Sequence, residues 1–569
     1  MEQQHKQHGP KLPISEEIHS RKYRLQGESF REAMSRIAGA LEDDTEHFQA
    51  YRSILLEQKF LPAGRVQSAM GSPRKVTAFN CFVSRTIDDS MDGIMLAATE
   101  AATTMRMGGG IGYDFSTLRP RGATIITLDS KSSGPIPFMQ IFDSVCKTVA
   151  SAGQRRGAQM GVMRVDHPDI EEFIESKCND HNFTQFNLSV GVTDAFMQAV
   201  ESGSEFELTF KGVVYNRVDA RALWEKLMRA TWDWAEPGIL FIDRINKMNN
   251  LHYCENIAAT NPCGEQPLPP HGACLLGSWN LVKYLSGDYV NGYKFEWDQF
   301  IQDIPTVVRA QDNIIDRTIY PLEQQRVEAI AKRRMGIGYT GLANTGEALG
   351  FSYGSPAFLD FQTKVAKTLV NETYRASTLL AKEKGCFPLF EDAYLDGEFI
   401  KQLDEDVRTL IMEHGIRNSH LISIAPTGTI SLTADNVSSG CEPVFSHFYD
   451  RTVLNDDGVA VVERVSDYGY RVLGVKGKTA DECTVDEHLA VLVNASKWVD
   501  SAVSKTLNVG AYVSWDDFKN IYMHAWKAGC RGCTTFRAAG KRYGVLNKVD
   551  ESEGGACYID VATGKKTCE

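Results

Sequence analysis

No run of about 18 apolar residues occurs in the 569-residue chain, so it holds no candidate membrane-spanning helix. The opening residues, MEQQHKQHGPKLP, lack the apolar core of a secretory leader. Positive charge is not in excess: 61 Lys and Arg stand against 73 Asp and Glu, a formal net charge of -12. That balance argues against direct nucleic-acid binding, while leaving room for local basic pockets that take small anions. No repeat of solenoid period is visible. A disulfide framework is missing too, because the 13 cysteines are odd in number and scattered along the whole chain. In a reducing compartment such thiols stay free, and a pair that oxidises does so within a reaction cycle. What remains is a cytoplasmic globular enzyme, with 43% hydrophobic and 24% charged residues.

Residues 1–14 are polar and are expected to be disordered. Residues 15–105 read as mainly helical: Phe30, Met34, Ile37 and Leu41 recur at helical spacing, and a helix is predicted over 90–107, ahead of the Gly-rich MGGGIGYDFS (107–116). From 106 to 545, helical patterns alternate with short apolar segments such as GILFID (238–243) and LISIA (421–425). EFELTFKGVVY (205–215) alternates apolar and polar residues, with a turn at Lys211-Gly212. This interleaving predicts one large α/β domain, a barrel. Residues 546–569 are polar, Gly-rich and charged. They read as a flexible tail, yet that tail carries Cys557 and Cys568.

Five stretches carry candidate chemistry. In NPCGEQ (261–266) an extended segment would line up Asn261, Cys263 and Glu265 on one side, a thiol between an amide and a carboxylate. A buried loop with a free cysteine and a capping asparagine explains the spacing equally well. LISIAPTGTISL (421–432) is an apolar strand running into small hydroxyl residues. Its backbone N–H groups could cradle phosphate, above all if a helix begins there; an ordinary turn is the alternative. Glycines flank Arg155 and Arg156 in SAGQRRGAQM (151–160), which suits a nucleotide phosphate or a solvated basic loop. Asp166-His167 has no second histidine nearby, so it reads as a cap or a core histidine rather than a metal ligand. Cys530-x-x-Cys533 is a lone pair. It could be structural, redox-active, or a four-thiolate zinc site with Cys557 and Cys568.

Taken together, NPCGEQPLPPHGACLLGSWNL, FNCFVSRTIDDSMDGI (79–94), GGGIGYDFSTLRPRGA (108–123), GQRRGAQM (153–160), FNLSVGVTDAFM (186–197), APTGTISLTADNVSSGCEPVF (425–445) and GCTTFR (532–537) resemble the catalytic subunit of ribonucleotide reductase. The resemblance is nearest to the adenosylcobalamin-dependent, class II, dimeric type, and it runs in order from about residue 15 to 545.

It implies a ten-stranded α/β barrel of two five-stranded halves around a central finger loop, preceded by a mainly helical N-terminal region. Cys263 at the loop tip would carry a thiyl radical that takes the 3′-hydrogen of the ribose. Glu265 would take the 3′-OH proton, and Asn261 would hydrogen-bond the substrate hydroxyls. Cys81 and Cys274 match the pair that supplies two electrons and ends as a disulfide. Pro426, Thr427, Gly428 and Thr429 match the loop that holds the substrate diphosphate. Cys557 and Cys568 match the tail dithiol that passes electrons on from thioredoxin or glutaredoxin. Asp143 and Ser144, with Arg155 and Arg156, resemble a site for a dNTP or ATP effector at the subunit interface of a homodimer, with the specificity loop near 179–185.

The radical source is adenosylcobalamin by the same resemblance. Thr535 and Phe536 stand where the class I subunit has a tyrosine pair, KRYGVL (541–546) is no glycyl-radical motif, and no DxHxxG stretch offers an axial histidine. The alternative is a class I-type subunit that takes its radical from a separate metalloprotein. No room for an activity-regulating ATP-cone is expected before Pro13. No metal site is expected in the chain itself. LPAGR (61–65) lacks the hydroxyl residue that many relatives carry after LPN, so backbone alone would meet phosphate there.

Overall fold

The computed structural model describes residues 8–125, 129–149, 158–178, 183–454, 460–537, 540, 547–548, 557–559 and 566–568. The N-terminal part is helical, as its spacing predicted. Phe30–Leu41 forms a helix whose Phe30, Met34, Ile37 and Leu41 are all buried, started by a capping box of Ser29 and Glu32. Met91–Arg106 follows, capped by Ser90 on the Gly93 N–H. The first helix, Pro13–Tyr23, buries Ile14 and Ile18 and so begins two residues before the expected start of the folded region.

Eleven strands position the site: β1 (Phe60–Pro62), β2 (Cys81–Val83), β3 (Gly110–Asp114), β4 (Gln159–Arg164), β5 (Phe186–Val192), β6 (Gly238–Phe241), β7 (Ala273–Cys274), β8 (Leu276–Asn280), β9 (Gly336–Thr340), β10 (Thr506–Val509) and β11 (Gly532–Arg537). Eight are joined in the order β7-β2-β3-β4-β5-β6-β11-β10, and three in the order β1-β8-β9. From β2 to β6 every neighbour pair is parallel, as helical crossovers require. Helices Met91–Arg106, Pro135–Thr148 and Ala220–Trp234 lie between these strands in sequence.

A second parallel series runs from β8 to β9, through single bridges Ile337–Ile422 and Ile424–Val503, to β10 and β11. Thus the apolar LISIA stretch is held by isolated bridges rather than a regular ladder. The two series meet antiparallel where β6 pairs β11 and where β7 pairs β2. The core divides accordingly. One large cluster holds Phe79, Phe82, Trp279 and Tyr339; the other holds Tyr113, Phe142, Trp224 and Tyr522. The predicted hairpin is present as Glu205–Phe210 and Val213–Asp219, with Lys211 and Gly212 both at positive φ in its turn.

Candidate active site

NPCGEQ is a tight loop, not the extended segment expected from its alternation. Ala259–Thr260 pairs antiparallel with Pro267–Leu268, and residues 261–266 turn between them. The Asn261 N–H donates to the Gln266 carbonyl at 3.1 Å, and the Gly264 N–H to the Asn261 carbonyl at 3.0 Å. Gly264 sits at φ +79°, a left-handed conformation that glycine alone adopts without a steric cost. That one residue reverses the chain, and strict alternation ends there. Asn261 accepts the Gln266 N–H through Oδ1 at 3.0 Å, while its buried Nδ2 has no hydrogen-bond partner among the described residues.

The hairpin rests on bare backbone from both parallel series. A Cβ at Gly112 would lie 1.9 Å from the Thr260 carbonyl oxygen, and one at Gly336 would lie 2.2 Å from Gln266 Nε2. The Asn187 amide adds a bond to the Pro262 carbonyl at 2.9 Å, and the Ala502 N–H one to the Glu265 carbonyl at 3.0 Å.

Cys263, Glu265 and Cys81 line a cavity of about 640 Å³, together with Pro426, Thr427, Gly428 and Thr429. The Cys263 side chain is exposed, whereas Glu265 is buried. Asn261 and Cys274 do not line the cavity. Cys274 is fully buried and pairs in register with Cys81 across β7 and β2. Burial pushes the Cys274 thiol well above its ordinary range, and the charges of Glu265, Cys81 and Cys263 push it further. That thiol therefore stays protonated. At the other end, a short helix, Gly428–Thr433, does begin after Pro426, leaving first-turn N–H groups without partners inside the helix. Thr427 holds a left-handed φ of +50°, uncommon for a β-branched residue. Its hydroxyl meets Thr340 Oγ1 at 3.0 Å and accepts the Gly440 N–H at 2.8 Å. The Thr427 hydroxyl therefore shapes the turn.

Residues 79–536 match the family described as ribonucleotide reductase, barrel domain. The chain belongs to the ribonucleotide reductase family. It is 34% identical over 559 residues to the vitamin B12-dependent ribonucleoside-diphosphate reductase of Mycobacterium tuberculosis, covering 91% of this chain and 77% of that one. It is 32% identical to the enzyme of the same name from Thermoplasma acidophilum, covering 94% and 73%. With the vitamin B12-dependent ribonucleotide reductase of Streptomyces clavuligerus it shares 28% identity, covering 90% and 62%.

Other residues expected of a ribonucleotide reductase fall elsewhere. Asp143 is buried on helix Pro135–Thr148; it accepts the Gln185 N–H at 3.1 Å and pairs with Lys147 at 2.6 Å. Ser144 is exposed on the same helix. Arg155, Arg156 and residues 179–182 of the expected specificity loop lie outside the described residues. In the tail, Cys557 stands opposite Cys568 in a short antiparallel ladder. Cys530 and Cys533 are buried, and burial raises both thiols. Among the described residues no group of three or more His, Cys, Asp or Glu could hold a metal ion. His167 is a core histidine, its Nε2 2.9 Å from the Leu118 carbonyl. Also among the described residues, no helix is long and apolar enough to cross a membrane.

Two features of this reductase escaped the sequence reading. GIGYD (110–114) and GIGYT (336–340) repeat one pattern on the two strands that flank the hairpin, a signal legible in the text of the sequence. The cavity is also lined by Arg21, Lys22, Arg74 and Lys75, from segments that carry no motif, and by Arg65 of LPAGR, where only backbone was expected to act.

Proposed function

We propose that this chain is an adenosylcobalamin-dependent ribonucleotide reductase that turns ribonucleoside diphosphates into 2′-deoxyribonucleotides for DNA synthesis, by a thiyl radical on Cys263. The observation that carries this reading is that Cys263, Glu265 and Cys81 open on the same cavity as the Pro426–Thr429 turn. A sugar bound there with its phosphates at the turn would meet thiol and carboxylate together. The diphosphate substrate and the B12 dependence rest on the names of the relatives, and on Thr535 and Phe536 in place of a tyrosine pair.

The exposed Cys263 suits a bulky cofactor that approaches from outside the core; when bound, adenosylcobalamin supplies the homolysis that starts the radical. The rest belongs to the chain. The Cys263 sulfur takes the 3′-hydrogen and later returns it. Glu265 holds the 3′-OH proton, and the Asn261 Nδ2 is a donor with no other partner among the described residues. As the 2′-OH leaves as water, Cys81 and Cys274 give two electrons and two hydrogens, and their thiols become one disulfide. Cys557 and Cys568 then return it to the thiol state by exchange, drawing on thioredoxin or glutaredoxin; their facing register suits a dithiol.

The ten-stranded barrel is supported by the two parallel series, β2 to β6 and β8 to β11 with the 422–424 segment, and by their antiparallel meetings at β6–β11 and β2–β7. On this reading 15–105 is the mainly helical N-terminal region, within which β2 (Cys81–Val83) already joins the barrel sheet, 106–545 holds the rest of the barrel, and 546–569 is the redox tail. A homodimer with an effector between subunits is supported by the exposed Met95 and Leu96 on the helix that packs beside Asp143, and by the bond from Gln185 to Asp143.

The test combines the whole chain with a ribonucleoside diphosphate, a dithiol and adenosylcobalamin, and no second protein. Deoxynucleotide should form, and Cys263→Ser should abolish it. Product that appears only after a metalloprotein subunit is added would refute the cobalamin reading.

A further inference from the structure

The cavity is cationic in an acidic chain. Among the described residues, five basic side chains, Arg21, Lys22, Arg65, Arg74 and Lys75, line it, and Glu265 is the one carboxylate, although the whole sequence carries a net charge of -12. The fold gathers them from three places. Arg21 and Lys22 end helix Pro13–Tyr23, which packs against helix Gly428–Thr433: Ser15 donates to the Leu432 carbonyl at 2.6 Å, and Tyr23 and Ile430 share one small apolar cluster. Arg65 lies in the first turn of helix Gly64–Ala69. A Cβ on Gly64 would meet the Tyr23 ring at 2.7 Å, so that helix abuts the same end of Pro13–Tyr23. Arg74 ties in the third segment by donating to the Arg24 carbonyl at 2.8 Å. Lys22, Arg74 and Lys75 are exposed, whereas Glu265 is buried.

A competing explanation is that cations favour the last turn of a helix, where they meet the negative end of its dipole. That accounts for Arg21 and Lys22, but Arg74 and Lys75 lie in no helix. Arg21 reaches the wall while also standing 3.8 Å from Glu17; the neighbouring Arg24 does not reach it. It turns inward to a two-pronged pair with Glu16 at 2.6 Å and is absent from the cavity wall.

Resting on the functional reading above, we infer that this basic rim binds the terminal phosphate of the nucleotide, beyond what the first-turn N–H groups of Gly428–Thr433 hold. A neutral backbone cradle offers hydrogen bonds but no compensating charge. Guanidinium and ammonium groups add charge-assisted bonds to phosphate oxygens. The rim therefore makes affinity climb with phosphate number and makes that climb depend on salt.

The test is equilibrium binding, by calorimetry on the whole chain without cofactor, of one ribonucleoside, its monophosphate and its diphosphate. The wild type should bind the diphosphate at least tenfold more tightly than the monophosphate at low salt. K22Q/K75Q should remove most of that factor and leave nucleoside affinity unchanged, and K22R/K75R should restore it. Lys22 and Lys75 are exposed, so a melting temperature equal to wild type verifies the fold. An unchanged diphosphate advantage in K22Q/K75Q, with nucleotides still bound, overturns the rim alone. So does a variant that weakens adenosylcobalamin binding while keeping that advantage. A wild type that binds none of the three overturns the functional reading and the rim with it.

Discussion

Asn261 uses the two ends of its amide differently. Oδ1 accepts the Gln266 N–H and closes the loop, while Nδ2 is left buried with no partner among the described residues. A buried donor in that state costs stability. Glu347 makes a similar point away from the cavity. One oxygen accepts the Lys478 N–H at 2.6 Å, and the other is buried without a partner among the described residues. Burial, with Asp467 adding to it, raises its pKa from 4.5 to about 7. Because the folded value lies above the unfolded one, the folded state holds the proton more tightly. This contribution is complete below about pH 4.5 and is lost as the pH rises through about 7. Thermal melts of the wild type should therefore weaken between pH 5 and pH 8. Glu347→Gln should flatten that slope and gain roughly 2–3 kcal/mol at pH 8. Parallel slopes for the two proteins would show that Glu347 does not carry the dependence.

At the scale of elements, the hairpin bearing Cys263 is held by what the neighbouring strands leave out. Gly112→Ala would drive a methyl into the Thr260 carbonyl from 1.9 Å. The expected cost is about 1–3 kcal/mol of stability, read as a lower urea midpoint, with a fall in turnover because the thiol moves. An unchanged midpoint would mean that the hairpin does not press on β3. The helices were legible beforehand: Phe30, Met34, Ile37 and Leu41 mark one buried face, and the 90–107 expectation differs from Met91–Arg106 by one residue at each end. The turn at NPCGEQ was not, because the positive φ at Gly264 and the pairing of Thr260 with Pro267 are invisible in an alternating pattern. Likewise, Arg21 and Lys75 are 54 positions apart in sequence and meet only through the packing of Tyr23 and Gly64.

For the whole molecule, the proposed chemistry asks how electrons would reach thiols that the surface cannot. Cys274 is 0% exposed and Cys81 9%, so a protein reductant needs an intermediary. Replacing both Cys557 and Cys568 with serine should abolish multiple turnover with thioredoxin. Activity with a small dithiol, and the first turnover from pre-reduced protein, should remain. Full thioredoxin-supported activity in that double variant would rule the tail out as the carrier. Cys81, Cys263, Glu265 and Pro426–Thr429 each sit inside a compact, distinctive string and line one cavity, whereas Asn261 and Cys274, expected with them, do not line it. Of the residues expected at an effector site, Asp143 is buried against Gln185, while Arg155 and Arg156 fall outside the described residues.

The basic rim also bears on the order of events after chemistry. Reduction alters the sugar at C2′ and leaves both phosphates untouched, so the rim grips product as firmly as substrate. Binding of that kind is uniform along the reaction: it favours capture at low substrate concentration without lowering the chemical barrier. The same grip lets deoxynucleotide compete for the cavity, and it makes departure of product a candidate for the slow step.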